Sequence, residues 1–240
     1  MTTKETMNTH RKTAIIVGIL FIIATAFLFI GEAFYKPILS APDYLDIAYP
    51  KRIPVIIGIL LEFACVLAIP LIPVFLFPIL KKHNEAVALG YVVFRLFETV
   101  LLSVAEINKL SLIGVSQDYL NNGSVDATYF QHIGSAIQAE NYWGDTAGLI
   151  YNLVFIIGAL MLYSVFYQSK LIPRWLSVWG LIAAVALLTG ALLSVFSNIS
   201  PALTLLVISP IAVQEMVMAG WLIVKGFNPV AIAAGAGRSQ

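Results

Sequence analysis

Long apolar stretches alternate with short polar ones along this chain. Six stretches reach the length that crosses a bilayer, about 20 residues. They are 13–31, 53–77, 86–115, 143–166, 175–196 and 201–224. Each is too long and too uniformly apolar for a strand, so the pattern predicts six transmembrane helices. The third is longer than a span needs, which points to tilt or to projection beyond the membrane. Lys4, Arg11 and Lys12 precede the first stretch. Its apolar core exceeds that of a signal peptide and no small-residue cleavage site follows, so it is expected to stay as the first helix.

The polar connections set the topology. Turns at Lys81–Asn84, Ser169–Arg174 and Ser197–Ser200 are short enough to force antiparallel neighbours. The segment Tyr35–Pro50 contains Pro37, Pro42 and Pro50 and is expected to be extended. In Ser116–Tyr142, Tyr129, Phe130, Ile133 and Ile137 recur at helical spacing after Asp126, a candidate cap. That segment is a short helix at the membrane interface or over the bundle mouth, or else a surface loop. Residues 1–226 form one transmembrane domain, and 227–240, with Gly235 and Gly237, are expected to be a flexible cytoplasmic tail.

Composition agrees with that picture. The chain is 60% hydrophobic and 11% charged, with mean hydropathy +0.90. A soluble domain is about 25% charged. The class is all-α, a polytopic helical bundle. The net charge of +1 gives no field for nucleic acid, which is not expected as a partner. Lys4, Arg11, Lys12, Lys81, Lys82, Lys170, Arg174, Lys225 and Arg238 fall on one side of the predicted topology, against Lys36, Lys51 and Arg52 on the other. Cytoplasmic loops are richer in Lys and Arg, so both termini are expected in the cytoplasm.

Charges inside the spans carry the chemical information. Arg95, Glu98, Glu106 and Lys109 lie within roughly an 80° arc of the third helix, with Tyr91 and Thr99 on or beside it. Each charge at membrane depth costs about 2.5–3.5 kcal/mol on insertion scales. Glu62 and Glu215 also lie inside apolar helices, and Asn152 shares a face with Asp145. Four acids face two bases, an excess of carboxylate that calls for a proton or a cation. Two readings stand. The Arg95–Glu98 and Glu106–Lys109 pairs, completed by Glu62 or Glu215, form an ion network that fixes helix register. Alternatively Glu62, Tyr91, Arg95, Glu98, Glu106, Lys109, Asn152 and Glu215 line a site for a small molecule, lipid, ion or proton. Glu32 and Asp145 are interfacial or line an outer vestibule.

Several chemistries are disfavoured. His10 and His83 fall at the inner surface and His132 in an outer loop, away from haem-binding or triad depth. The lone Cys65 excludes a disulfide framework, and zinc ligands at motif spacing are missing. A di-metal site built from Glu62, Glu98, Glu106 and Glu215 lacks histidine. No cofactor is expected.

Four segments also resemble a known family. They are Leu60–Leu80 with Glu62, Ile69–Pro70 and Phe77-Pro78-Ile79-Leu80; Gly90–Tyr91 with Arg95 and Glu98; Leu171-Ile-Pro-Arg-Trp-Leu-Ser-Val-Trp-Gly180; and Pro210 to Gly226 with Glu215 and Trp221. Together they are similar to the bacterial membrane proteins of domain of unknown function 4386, over nearly the whole chain. The resemblance implies six helices in a bacterial or archaeal cytoplasmic (inner) membrane and brings no assigned activity. The family pattern includes the positions numbered here Glu62, Arg95, Glu98 and Glu215. Three roles remain open: a ligand- or ion-binding transporter or sensor, an intramembrane enzyme using a carboxylate acid/base on a lipid or isoprenoid, and a structural or partner-binding subunit.

Overall fold

A computed structural model describes residues 3–122, 127–144, 148–197 and 200–236. These residues form helices and short turns, without a strand. The spans are α1 (Thr3–Leu39), α3 (Arg52–Leu80), α4 (Glu85–Asn122), α6 (Leu149–Ser169), α7 (Arg174–Phe196) and α8 (Pro201–Val224). Three shorter helices, α2 (Tyr44–Ile47), α5 (Ala127–Gly144) and α9 (Pro229–Ala236), lie between or after them. All six spans are long and apolar enough to cross a membrane. Asp126, Asp145 and Asn198 lie outside the described residues.

The spans close into a ring in chain order. α1 packs on α3, α3 on α4, α4 on α6, α6 on α7, α7 on α8, and α8 back on α1. Large apolar side chains cover its outer surface, among them Leu60, Phe97, Val100, Ile107, Ile182 and Leu205. The charged side chains Glu62, Arg95, Glu98, Glu106, Lys109 and Glu215 are all inside. Apolar outside and charged inside is the arrangement that hydrocarbon solvent selects.

Two contacts fix α1. Along α3, a Cβ on Gly31 would come 2.6 Å from the Gly58 carbonyl oxygen, and one on Gly58 would come 2.6 Å from the Gly31 carbonyl oxygen. The two backbones therefore touch where both residues lack a side chain, the close approach that membrane helices use in place of hydrophobic association. Along α8, Arg11 donates to the carbonyls of Leu222 (3.0 Å), Ile223 (2.5 Å) and Val224 (3.3 Å). The guanidinium thus satisfies the unpaired carbonyls at a helix C-terminus and its negative dipole end. Gly226, at φ +73°, ends that helix with bonds to the Trp221 and Leu222 carbonyls, a conformation that costs an L-residue about 1–2 kcal/mol.

Three sequence expectations change. The 35–50 segment is mostly helical: α1 runs to Leu39 through Pro37, and α2 follows after the turn at Pro42. Pro37 falls in the last turn of α1, where its missing N–H removes only one terminal bond. Ser116 organises the rest, donating to the Leu45 carbonyl (2.7 Å) and accepting from the Tyr49 amide (2.9 Å). Residues 229–236 of the tail are helical. Asn228 starts α9, accepting from Val230 and donating to the Lys170 carbonyl, and Ala231 is buried. α1, α3 and α4 also extend well past the predicted limits of 13–31, 53–77 and 86–115. The short helix expected from Tyr129, Phe130, Ile133 and Ile137 is α5. Its Phe130 packs with Tyr35, Tyr44, Leu112 and Ile113 as a cap over one end of α1, α3 and α4.

Replacing Gly31 or Gly58 by alanine should cost about 1–3 kcal/mol, because backbone rather than a flexible side chain must move. The thermal unfolding midpoint of the protein in nanodiscs should fall in both variants. An unchanged midpoint in both would show that the α1–α3 contact is not tight.

Candidate functional site

The charged stripe of α4 divides into two clusters. Arg95 and Lys109 are 14 residues apart on one face, about 21 Å along the axis. Each cation is met by two carboxylates, one from its own helix and one from a neighbour.

At Lys109 the cluster is closed. Lys109 Nζ lies 2.6 Å from Glu62 Oε2 on α3 and 2.9 Å from Glu106 Oε1. Tyr35 of α1 donates to Glu62 Oε1 at 2.9 Å, and its ring centroid is 4.4 Å from the ammonium. All three charged groups are buried. Glu106 Oε2 has no hydrogen-bond donor. This cluster ties α1, α3 and α4 together under the α5 cap.

Around Arg95 the cluster is open to a cavity. Arg95 donates from Nη1 to both oxygens of Glu98, at 2.9 and 3.2 Å, and from Nε to the Tyr91 hydroxyl at 3.2 Å. Tyr151 of α6 donates to Glu98 Oε1 at 2.9 Å. The guanidinium also stands over the Phe155 ring, 5.2 Å from its centroid. Glu98 is thereby fully engaged. Glu215 of α8 is not: its Oε1 is 3.6 Å from Arg95 Nη2, beyond hydrogen-bond length, and its Oε2 accepts from Thr25 of α1 at 3.1 Å. Its side chain is the most accessible of the buried acids, at 12%.

The cavity beside this cluster has a volume of about 200 Å3. Arg95, Glu98, Glu215, Tyr151, Asn152 and Thr25 make its polar floor, and Leu28, Ile69, Phe155, Leu187, Ile208 and Ile211 its apolar walls. It extends to Glu32 and Lys36, an exposed ion pair near the end of α1 away from the Arg11 contact. Asn152 uses its amide to donate to the Gly148 carbonyl at 2.8 Å.

The predicted residues thus divide. Arg95, Glu98, Asn152 and Glu215 line the cavity; Glu62, Glu106 and Lys109 form the second cluster; Tyr91 sits behind Arg95. Glu62 does not share a site with Glu215, because α3 presents it to Lys109. The four carboxylates do not converge on one point. Thr99 bonds the Arg95 carbonyl of its own helix. Glu32 lines the groove where the cavity reaches the surface.

Tyr151, Tyr35 and Thr25, which complete the clusters, carry no sequence signal, since a hydroxyl in an apolar helix is common. Gln214, beside Glu215, is absent from the sequence expectations, although an amide inside an apolar helix is a signal that could have found it. It accepts from Tyr163 at 2.5 Å and donates to the Leu176 carbonyl at 3.0 Å, joining α6, α7 and α8.

Fold and site together define a polytopic helical membrane protein built around intramembrane ion clusters. The family described as Domain of unknown function (DUF4386) matches residues 16–226, and the chain belongs to it. Neither a curated protein nor a solved structure matches the chain.

The two clusters differ in what they tolerate. Lys109→Met leaves two buried carboxylates facing each other and should destabilise by about 3–5 kcal/mol, as breaking a buried ion pair does. Glu106→Gln removes the excess charge and should cost far less. Thermal unfolding in nanodiscs checks the order, and a larger loss for Glu106→Gln than for Lys109→Met would refute it.

Proposed function

We propose that the protein binds a small ligand, ion or proton in the central cavity and serves as a transporter or sensor. Under-matched Glu215 carries this reading. Two carboxylates share one guanidinium, and Glu215 holds one hydroxyl within hydrogen-bond range while facing open space. A buried carboxylate in that state favours a proton or a cationic partner. Arg95 and Glu98 act as a fixed pair that sets the floor of the site. Closed ion pairing for structure alone suits the Lys109 cluster, where the ammonium has both carboxylates within 2.9 Å.

Orientation follows from the basic face, which holds Arg11, Lys81, Lys82, Lys170, Arg174 and Lys225. With that face cytoplasmic, both termini are inside, and the Glu32–Lys36 vestibule opens outward. The host is a bacterial cytoplasmic (inner) membrane. A second reading is an intramembrane enzyme on a lipid or isoprenoid, with Glu98 or Glu215 as acid/base. The apolar cavity walls favour it, because the substrate would come from the bilayer.

Native mass spectrometry of gently purified protein tests the site. A small molecule at one copy per protein is expected, lost in Arg95→Ala and in the milder Glu215→Gln. Recovery of a chemically altered lipid, dependent on Glu98, would favour the enzyme. Unliganded wild-type protein in nanodiscs and mild detergent alike would sink the ligand-site reading.

A further inference from the structure

Residues of α1 and α8 form one wall of the cavity. On the outer surface of the ring a crevice runs along this seam, lined by Thr25, Ala26, Phe29, Ala212, Val213 and Met216 among others. Thr25, Phe29 and Ala212 also line the central cavity, so one layer of side chains separates the two. Phe29 belongs in addition to the surface groove over Glu32 and Lys36, and it is 45% exposed.

The seam is clamped near the basic face and bridged at cavity depth by the Thr25–Glu215 bond. Near the basic face Arg11 bonds the α8 carbonyls, and Gly18 lies against the Ala219 carbonyl and Ile223. At the other end Leu203, Leu205 and Leu206 of α8 are exposed. Pro210 lies between the two ends and removes a backbone bond where α8 passes the cavity. Opening the seam would bend α8 at Pro210 and break the Thr25–Glu215 bond while the near half stays clamped.

Resting on the cavity reading above, we infer that the ligand is a membrane-dissolved amine, an aliphatic chain with a cationic head, arriving sideways through this seam. Charge selects the head. Glu98 is occupied by Arg95 and Tyr151, whereas Glu215, among the described residues, accepts from Thr25 and has Arg95 only at 3.6 Å. An ammonium beside Glu215 supplies the missing positive charge; an anionic head would meet an excess of carboxylate. Thr25 links the two spaces, since it faces the crevice and donates to Glu215. Volume selects the length. The cavity of about 200 Å3 exceeds the ~150 Å3 that admits benzene. It takes the head and the first carbons, and the rest of the chain lies in the crevice. Phe29 is the gate.

The test uses the full chain in phosphatidylcholine nanodiscs, with octylamine, octanoate and propylamine as probes and native mass spectrometry as the readout. Octylamine should bind at one copy per protein and octanoate should not. Ala26 lines the crevice and not the cavity. Ala26→Trp should therefore weaken octylamine by about tenfold or more, equivalent to about 1.4 kcal/mol. Propylamine, which is water-soluble and reaches Glu215 past Glu32 and Lys36, should bind Ala26→Trp as it binds the wild type. Phe29→Ala, which only removes side-chain atoms, should speed octylamine exchange and serves should Ala26→Trp not fold. Glu215→Gln should lose both amines. Octanoate binding in place of octylamine would overturn the cationic head. Octylamine unaffected by Ala26→Trp and Phe29→Ala would overturn the lateral path and leave the cavity reading intact. Both amines indifferent to Glu215→Gln would remove the cavity reading itself.

Discussion

A positive charge in hydrocarbon must carry its counter-charge with it, and this bundle meets that demand twice along one helix. Arg95 and Lys109 stand on the same face of α4, and each is held between an acid three residues along and an acid from another helix. The second acid comes from α3 at one level and from α8 at the other. Tyr35 and Thr25 of α1 and Tyr151 of α6 fill further positions on those acids. Five of the six spans thus meet around the charged face of α4. α7 gives these clusters no charged or hydroxyl partner among the described residues, and it joins α8 through Gln214 and the Leu176 carbonyl.

The two levels solve the same electrostatic problem with different geometry. At Lys109 the ammonium is a compact charge that both carboxylates approach within 2.9 Å, and the aromatic face of Tyr35 closes the space. At Arg95 the planar guanidinium is turned toward Glu98 and stacked near Phe155, so Glu215 stays at 3.6 Å. Arginine offers its donors in a fixed fork, and a partner off that plane is served poorly. The rigidity of one side chain thereby leaves an acid of α8 under-matched next to empty volume. The ring architecture supplies the volume, because six helices packed only on their neighbours leave a centre that side chains must fill.

Fastening is also uneven. α1 is held to α3 through Gly31 and Gly58 and to the end of α8 through Arg11. The half of α8 nearer the vestibule packs on α7, where a Cβ on Gly190 would come 2.6 Å from Val207, and carries Pro210. The doubly paired lysine lies on the α1–α3–α4 side under the α5 cap, and Glu215 faces the cavity on the α8 side.

Number, type and order of the spans were legible in the chain, since hydrocarbon length and the absence of water act on each helix separately. So was the charged stripe from Arg95 to Lys109, because helical period is a local property. The helical course of 35–39 and of 229–236 was not, since Pro37 is tolerated only at a helix end and α9 exists by docking on Lys170 and Leu171. The close approach of Gly31 to Gly58 was equally hidden; the chain contains 16 glycines, and nothing local singles out two. Which acid serves which base was decided by the fold alone. Glu62 and Glu215 look equivalent in sequence, each a lone carboxylate in an apolar helix. The ring places one against a saturated lysine and the other beside a cavity, and long-range packing is what makes them different.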